Sequence, residues 1–472
     1  MVKPFLRLMV LLWFIVWLAG CSTPSAVTNR ARTPALPESY ANKPAHSETI
    51  DQWLSTSIQL ELTPFIQQAV KQNYDLLAKK AQLENARLGV TVNGAALYPD
   101  LSLGLTGARH KRLLNDQGIY HSNFELMADL RYELDVWGKL SATKKVAILR
   151  LAKAQNDYQQ TGITVVKNVI TAWYNLIEAQ QLLALYIKRE KNLERNLSRI
   201  EASYRLGLSE ALDVYLAKND VNSEKARIAN QSQQVVVKSQ ALERLVSRYP
   251  SGSTRAMNQF PAYSTFIAEG IPAQLLTRRP DILSGWYGLL AKDAELAAAH
   301  KARFPSFVLT AQGGDTSSTL SEFLNGGPLI GSLVGGITQP LFNAGRLKAL
   351  EGQAKFAVID SENQYLKQVY DAFAGVEASL SQQQRLKERY DFLDKAKTNA
   401  LAAEKLSFDQ YLSGIVTYAT VLEAQRRAFD TETLSIQSKS LMLKNGVDLY
   451  VALGGNFAPF LMYDPVKEKP KL

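Results

Sequence analysis

The stretch Asn123-Phe124-Glu125-Leu126-Met127-Ala128-Asp129-Leu130-Arg131-Tyr132-Glu133-Leu134-Asp135-Val136 alternates without a break. Phe124, Leu126, Ala128, Leu130, Tyr132, Leu134 and Val136 fall on one side. Asn123, Glu125, Met127, Asp129, Arg131, Glu133 and Asp135 fall on the other. A period of two marks a strand that is apolar on one face and polar on the opposite one. Carboxylates and an arginine on one face suit a water-filled lumen, with the apolar face toward lipid. Glu125, Asp129, Arg131, Glu133 and Asp135 are therefore candidate lumen residues. Their carboxylates would bias a pore toward cations, while pairing with Arg131 would make them a plain solvated wall; both readings fit.

A partner strand runs from Leu101 to about Ala108, with Leu101, Leu103 and Leu105 alternating against Ser102, Gly104 and Thr106. Weaker strands follow near Phe307–Gln312 and Leu329–Leu341, and polar tips, Lys111–Gly118 and Gly313–Gly327, join each pair. Four strands cannot close, and an open edge in hydrocarbon leaves N–H and C=O groups unpaired. If the strands span the bilayer, copies must share one barrel: about eight strands in a dimer, about twelve in a trimer.

The chain repeats itself around these strands. At an offset of 207, Leu134, Gly138, Leu140, Asn156 and Tyr158 meet Leu341, Gly345, Leu347, Asn363 and Tyr365. Tyr204, Gly207, Val214 and Ala217 likewise meet Tyr411, Gly414, Val421 and Ala424. This is a two-fold duplication of a long unit. The first repeat spans 58–260, with a strand pair in 100–136 and a helical hairpin in 138–247. The second spans 261–457, with a strand pair in 306–341 and a hairpin in 345–452, and 458–472 form a tail. Gly138–Arg205 and Gly345–Tyr411 are almost free of helix breakers, and sixty-odd residues at 1.5 Å each give rods of roughly 100 Å. The fold class is a membrane β-barrel continued by an α-helical barrel.

Residues 1–20 read as an export signal: Lys3 and Arg7 precede the apolar run Leu8–Leu18. That run is short for a membrane span. It ends in Leu18-Ala19-Gly20-Cys21, which resembles the lipobox of bacterial lipoproteins, and Cys21 is the sole cysteine of the 472 residues. A covalent lipid on Cys21 is expected, with 21–57, rich in Pro, Ser and Thr, as the tether. In the lipoproteins it resembles, an Asp after the cysteine would favour inner-membrane retention, so the resemblance with Ser22 there implies the outer membrane. Export also removes nucleic acid as the partner of the +10 net charge. An enzyme is disfavoured. The four histidines, at 46, 110, 121 and 300, lack metal-ligand spacing, and the glycine-rich 312–336 lacks the Lys-Ser/Thr of a phosphate loop. No metal or cofactor beyond the lipid is expected. A coiled-coil envelope lipoprotein would explain the lipid and the helices, but not the strand pairs.

Ile271-Pro272-Ala273-Gln274-Leu275-Leu276-Thr277-Arg278-Arg279-Pro280-Asp281-Ile282 resembles the signature of the outer-membrane efflux protein family, in its TolC-like lipoprotein branch. So do Ala302-Arg303-Phe304-Pro305-Ser306, Gln339–Leu347, Val421–Arg426 and Leu449–Gly455, in order over about residues 55–460. The resemblance implies a homotrimer with a 12-stranded outer-membrane barrel and a helical tunnel across the periplasm. Its partners would be a periplasmic adaptor, an inner-membrane pump and outer-membrane lipid. The implied function is the passive exit duct of a tripartite efflux pump for drugs or toxic metabolites, with type I protein secretion as the alternative. It also places Leu206, Gly207, Leu208 and Ser209, with Ser413, Gly414, Ile415 and Val416, at periplasmic tips that dock the adaptor. Related channels carry an acid just past the second tip glycine. Here the stretch is Ile415-Val416-Thr417-Tyr418, so Thr417 or Tyr418, with Glu210 and Asp213 nearby, are the constriction candidates.

Overall fold

A computed structural model describes residues 25–32, 39–41, 60–114, 117–257, 259–262 and 275–461. The signal and Cys21 lie outside them. A helical turn α1 (Asn29–Arg32) is followed by α2 (Thr63–Gln72), α3 (Tyr74–Ala95), β1 (Asp100–Leu114), β2 (Gln117–Leu134), α4 (Lys139–Arg205) and α5 (Ala211–Leu245). The order then repeats as α6 (Leu275–Arg278), α7 (Pro280–Lys301), β3 (Ser306–Ser317), a short α8 (Leu320–Leu324), β4 (Leu329–Thr338), α9 (Arg346–Leu412) and α10 (Tyr418–Ala452). No helix among the described residues is long and apolar enough to cross a membrane.

The strands form one antiparallel sheet in the order β1-β2-β3-β4, leaving β1 and β4 as edges. Register sorts its two faces. Leu101 pairs with Leu130 and Leu105 with Leu126. Leu130 also meets Ala311, Leu309 meets Tyr132, and Ala311 meets Leu333. These make one apolar face, which ends upward at the level of Leu126, where Asp315 lies opposite it on the same face. Asp129 lies between Ser102 and Gln312, and Glu125 between Thr106 and Thr316, on the other.

Three strand ends differ from the expectation. The first ladder continues to Leu114 opposite Gln117, through most of what reads as the tip Lys111–Gly118. Arg109-His110-Lys111-Arg112 is polar on both faces, which hides a strand that has left the hydrocarbon and no longer needs to alternate. In the second tip, β3 runs on to Ser317 and α8 follows, its Thr319 side chain accepting the Glu322 N–H at 3.3 Å. β4 stops at Thr338 rather than Leu341, just before Gln339-Pro340, where proline has no N–H for a ladder.

Both α4 and α9 contain 67 residues, and both returning helices contain 35. Each rod is roughly 100 Å long. The main core lies where α4 meets α2, α7 and α10, with α9 packed on α7 and α10, around the fully buried Trp173, Tyr174, Leu176 and Ile177. The start of α7 explains the Arg-Pro-Asp signature. Pro280 supplies a helix-ready first residue, and Arg279 grips Asp281 through Nε at 3.0 Å and Nη2 at 2.6 Å. A third arginine donor reaches the Ala452 carbonyl at 3.1 Å, tying α7 to the end of α10.

The described part of the expected tether is docked against helices. Val27, Ala31 and Tyr40 are buried. Ala26 N–H donates to Asp293 at 3.0 Å, Thr28 N–H to Glu362 at 3.2 Å and Ala41 N–H to Glu377 at 2.7 Å. Carboxylates on α7 and α9 thus hold a strap whose Pro- and Ser-rich composition shows no periodicity of its own.

Candidate functional site: barrel wall and helical tips

The polar face of the sheet carries four of the five expected lumen residues. Asp129 accepts a hydrogen bond from Gln312 Nε2 at 2.6 Å, and Glu125 accepts from Asn123. Arg131 is exposed, in register with Asp100 and Thr310. Glu133 pairs with Lys139 at the foot of α4. Asp135 is the exception. It lies one residue beyond β2 and accepts the N–H groups of Leu140 and Ser141, each at 2.8 Å. It caps the start of α4 across Gly138, whose φ of +71° makes the turn. Partial burial works against the Asp135 charge, but the bonds from Ser141 and Leu140 and the nearby Lys301 prevail and lower its pKa. Parity had placed Asp135 in the lumen, whereas the strand has already ended. Thr310 and Gln312 complete the wall. Their own alternation with Leu309 and Ala311 is the signal that marks them.

At the far end of the rods both turns close in the same way. Leu208 N–H reaches Ser203 O and Ile415 N–H reaches Gln410 O, both at 2.9 Å, around Gly207 and Gly414 at φ +72°. This helix stop needs a left-handed residue, which glycine supplies without a Cβ penalty. Beyond the turns, Leu206 (75%), Leu208 (77%) and Ile415 (69%) are largely exposed. Gly207, Ser413, Gly414, Glu210 and Thr417 are exposed too, while Ser209, Val416 and Asp213 are half-buried. Three large apolar side chains in water at one end form a patch suited to covering by a partner.

Tyr418 corrects the expectation for it. It is 2% exposed, packed among Ile200, Val214, Ala217, Phe408 and Val421, and so cannot line a passage in this arrangement. Its hydroxyl has no hydrogen-bond partner among the described residues, and burial, then Asp220, Tyr411 and Asp213, push its pKa up. Tyr411, not expected from sequence, makes the link across the tips. Its hydroxyl donates to Asp213 at 2.7 Å and lies 3.2 Å from Ser209 Oγ, joining the second hairpin to the first. The repeat match of Tyr411 to Tyr204 was the available signal, but Tyr204 is exposed.

Higher in the tunnel wall Glu224 is 1% exposed between Arg189 (3.5 Å) and Arg227 (3.6 Å), with the Phe429 ring 4.1 Å from the Arg189 guanidinium and 5.2 Å from that of Arg227. Burial raises the Glu224 pKa against the pull of both arginines and lowers that of Arg189. The cluster joins α4 and α5 to α10.

The described residues offer an open sheet with one lipid-compatible face, two long rods, and tips joined through the Tyr411 hydroxyl. A family model described as outer membrane efflux protein matches residues 65–248 and 271–455. The pyoverdine export outer membrane protein OpmQ of Pseudomonas putida is 26% identical, covering 93% of this chain and 95% of the relative. The probable outer membrane lipoprotein SilC of Salmonella typhimurium is also 26% identical, over 93% and 96%. In structure, the Campylobacter jejuni CmeC outer membrane channel superposes with a TM-score of 0.83 over 94% of this chain and 97% of that one, at 20% identity. The chain belongs to the outer membrane efflux protein family, and is an outer-membrane channel through which an efflux system empties.

Proposed function

We propose that three copies close a shared 12-stranded barrel, each β1 pairing with the β4 of its neighbour, above a tunnel built from the helical hairpins. The observation that carries this reading is the sheet itself: four strands, two open edges and one apolar face. Unpaired edge groups cost several kcal/mol each in hydrocarbon, so closure by neighbours is the stable solution. A lipid on Cys21 anchors each copy. The exposed Leu206, Leu208 and Ile415 dock the hairpin of a periplasmic adaptor, which links the duct to an inner-membrane pump. Cargo passes without chemistry in this chain, and export of a small molecule by OpmQ supports small-molecule cargo here. At rest the tips are drawn together by Tyr411–Asp213, with Glu210 and Thr417 nearest the passage and Tyr418 as packing behind it.

The test is the mass of the detergent-extracted particle by native mass spectrometry. Three chains, each heavier than residues 21–472 by a lipid adduct, are expected. A stable, unmodified monomer would remove both barrel and anchor.

A further inference from the structure

On the apolar face, β2 runs from Leu134 to Phe124, ten residues or roughly 33 Å of strand. At the tilt usual in membrane barrels this spans about 25 Å, the height of their apolar band. Aromatic contacts mark both limits. Trp137 lies 5.3 Å from Phe304 and 6.4 Å from Phe307 at the lower one, and Phe124 lies 6.2 Å from Phe323 at the upper. The same face continues upward on the first hairpin alone, because β3 ends opposite Phe124. The next two pairs there are Arg109–Ser122 and Lys111–Tyr120. They rise about 5–10 Å above Phe124 along the membrane normal, which is headgroup height.

Arg109 and Lys111 converge on one ring. The guanidinium is 4.7 Å from the Tyr120 centroid and the ammonium 5.7 Å, and all three residues are exposed. Neither cation has a carboxylate within ion-pair distance among the described residues. Two like charges gathered at one aromatic ring repel each other unless an anion lies beside them. Guanidinium and ammonium donors held within about 6 Å of the same ring are chemically suited to a phosphate group. We propose that Arg109 and Lys111, on the Tyr120 platform, bind the phosphate of an anionic lipid headgroup in the outer leaflet, one site per protomer. The site rests on the barrel reading above, which sets its height.

The experiment uses the full-length trimer in phosphatidylcholine nanodiscs with and without lipid A, the retained lipid being counted by native mass spectrometry. Wild type retains up to three lipid A molecules per trimer. An Arg109→Ala/Lys111→Ala double variant loses retention at least tenfold. A His110→Ala/His121→Ala variant, altered on the opposite face of the same ladder, keeps it. Equal retention in the double variant, or equal loss in the histidine variant, overturns the site. Displacement of lipid A by millimolar inorganic phosphate overturns the lipid assignment in favour of free phosphate. A wild-type spectrum without trimers sinks the barrel and the site with it.

Discussion

Glu243, near the end of α5, shows how much one side chain can organise. Its carboxylate accepts the N–H groups of Gly252 (2.8 Å), Ser253 (3.1 Å) and Thr254 (2.9 Å), with the Thr254 hydroxyl at 2.8 Å. Burial opposes its charge, but the bonds from Gly252 and Thr254 win and hold its pKa at about 2. A pKa depressed by folding contributes stability above the unfolded value near 4.5, and that stability is lost as pH falls from there toward 2. The effect is on the order of 3 kcal/mol. Thermal unfolding followed from pH 6 down to pH 2 should therefore fall more steeply for the wild type than for Glu243→Gln. Tyr411 and Asp213 act at the same scale on function. Removing either partner gives up a hydrogen bond to a charged group, worth about 1.5–3 kcal/mol. Tyr411→Phe and Asp213→Ala are each expected to raise single-channel conductance and vancomycin sensitivity. Tyr418→Ala removes a buried ring, at about 3–5 kcal/mol. It should lower the melting temperature; an unchanged melting temperature with a wider pore would restore Tyr418 to the constriction.

At the scale of elements, the tips are the part most exposed to test. Leu208→Asp and Ile415→Asp place charge in the apolar patch without touching either glycine turn. Binding of a cognate adaptor measured by biolayer interferometry should weaken at least tenfold while the trimer mass stays unchanged. The long helices and the strand pair of the first repeat were legible in sequence because each is ruled by one period over many residues. Gly138, Gly207, Gly345 and Gly414 then punctuate them at turns that need a positive φ. The side-chain roles were less so. Nothing in a helical period says which of four packed helices covers Tyr418, and the Arg189–Glu224 pair depends on residues 35 apart meeting across a hairpin. Alternation alone could not tell Asp129, on the wall, from Asp135, six residues on and already capping a helix. The strap at 25–32 and 39–41 was hidden for the opposite reason: its order comes from carboxylates on other elements.

For the whole molecule, the decisive quantity is the pair of unpaired edges. A proline at Leu333, which sits mid-strand on β4, would disrupt the backbone of the edge strand that a neighbouring β1 must meet. Leu333→Pro should shift the extracted particle from trimer to monomer, while an exposed polar change such as Ser332→Thr should not. The equality of the two rods carries a further consequence. With 67 residues in each, one inserted residue in either would lengthen that rod by about 1.5 Å and rotate everything beyond it by about 100°. The Tyr411–Asp213 staple would then face away from its partner, and the two turns would end at different depths. The halves thus act as matched gauges. Length change is tolerable only when both repeats change together, in steps near seven residues that restore the same helical face.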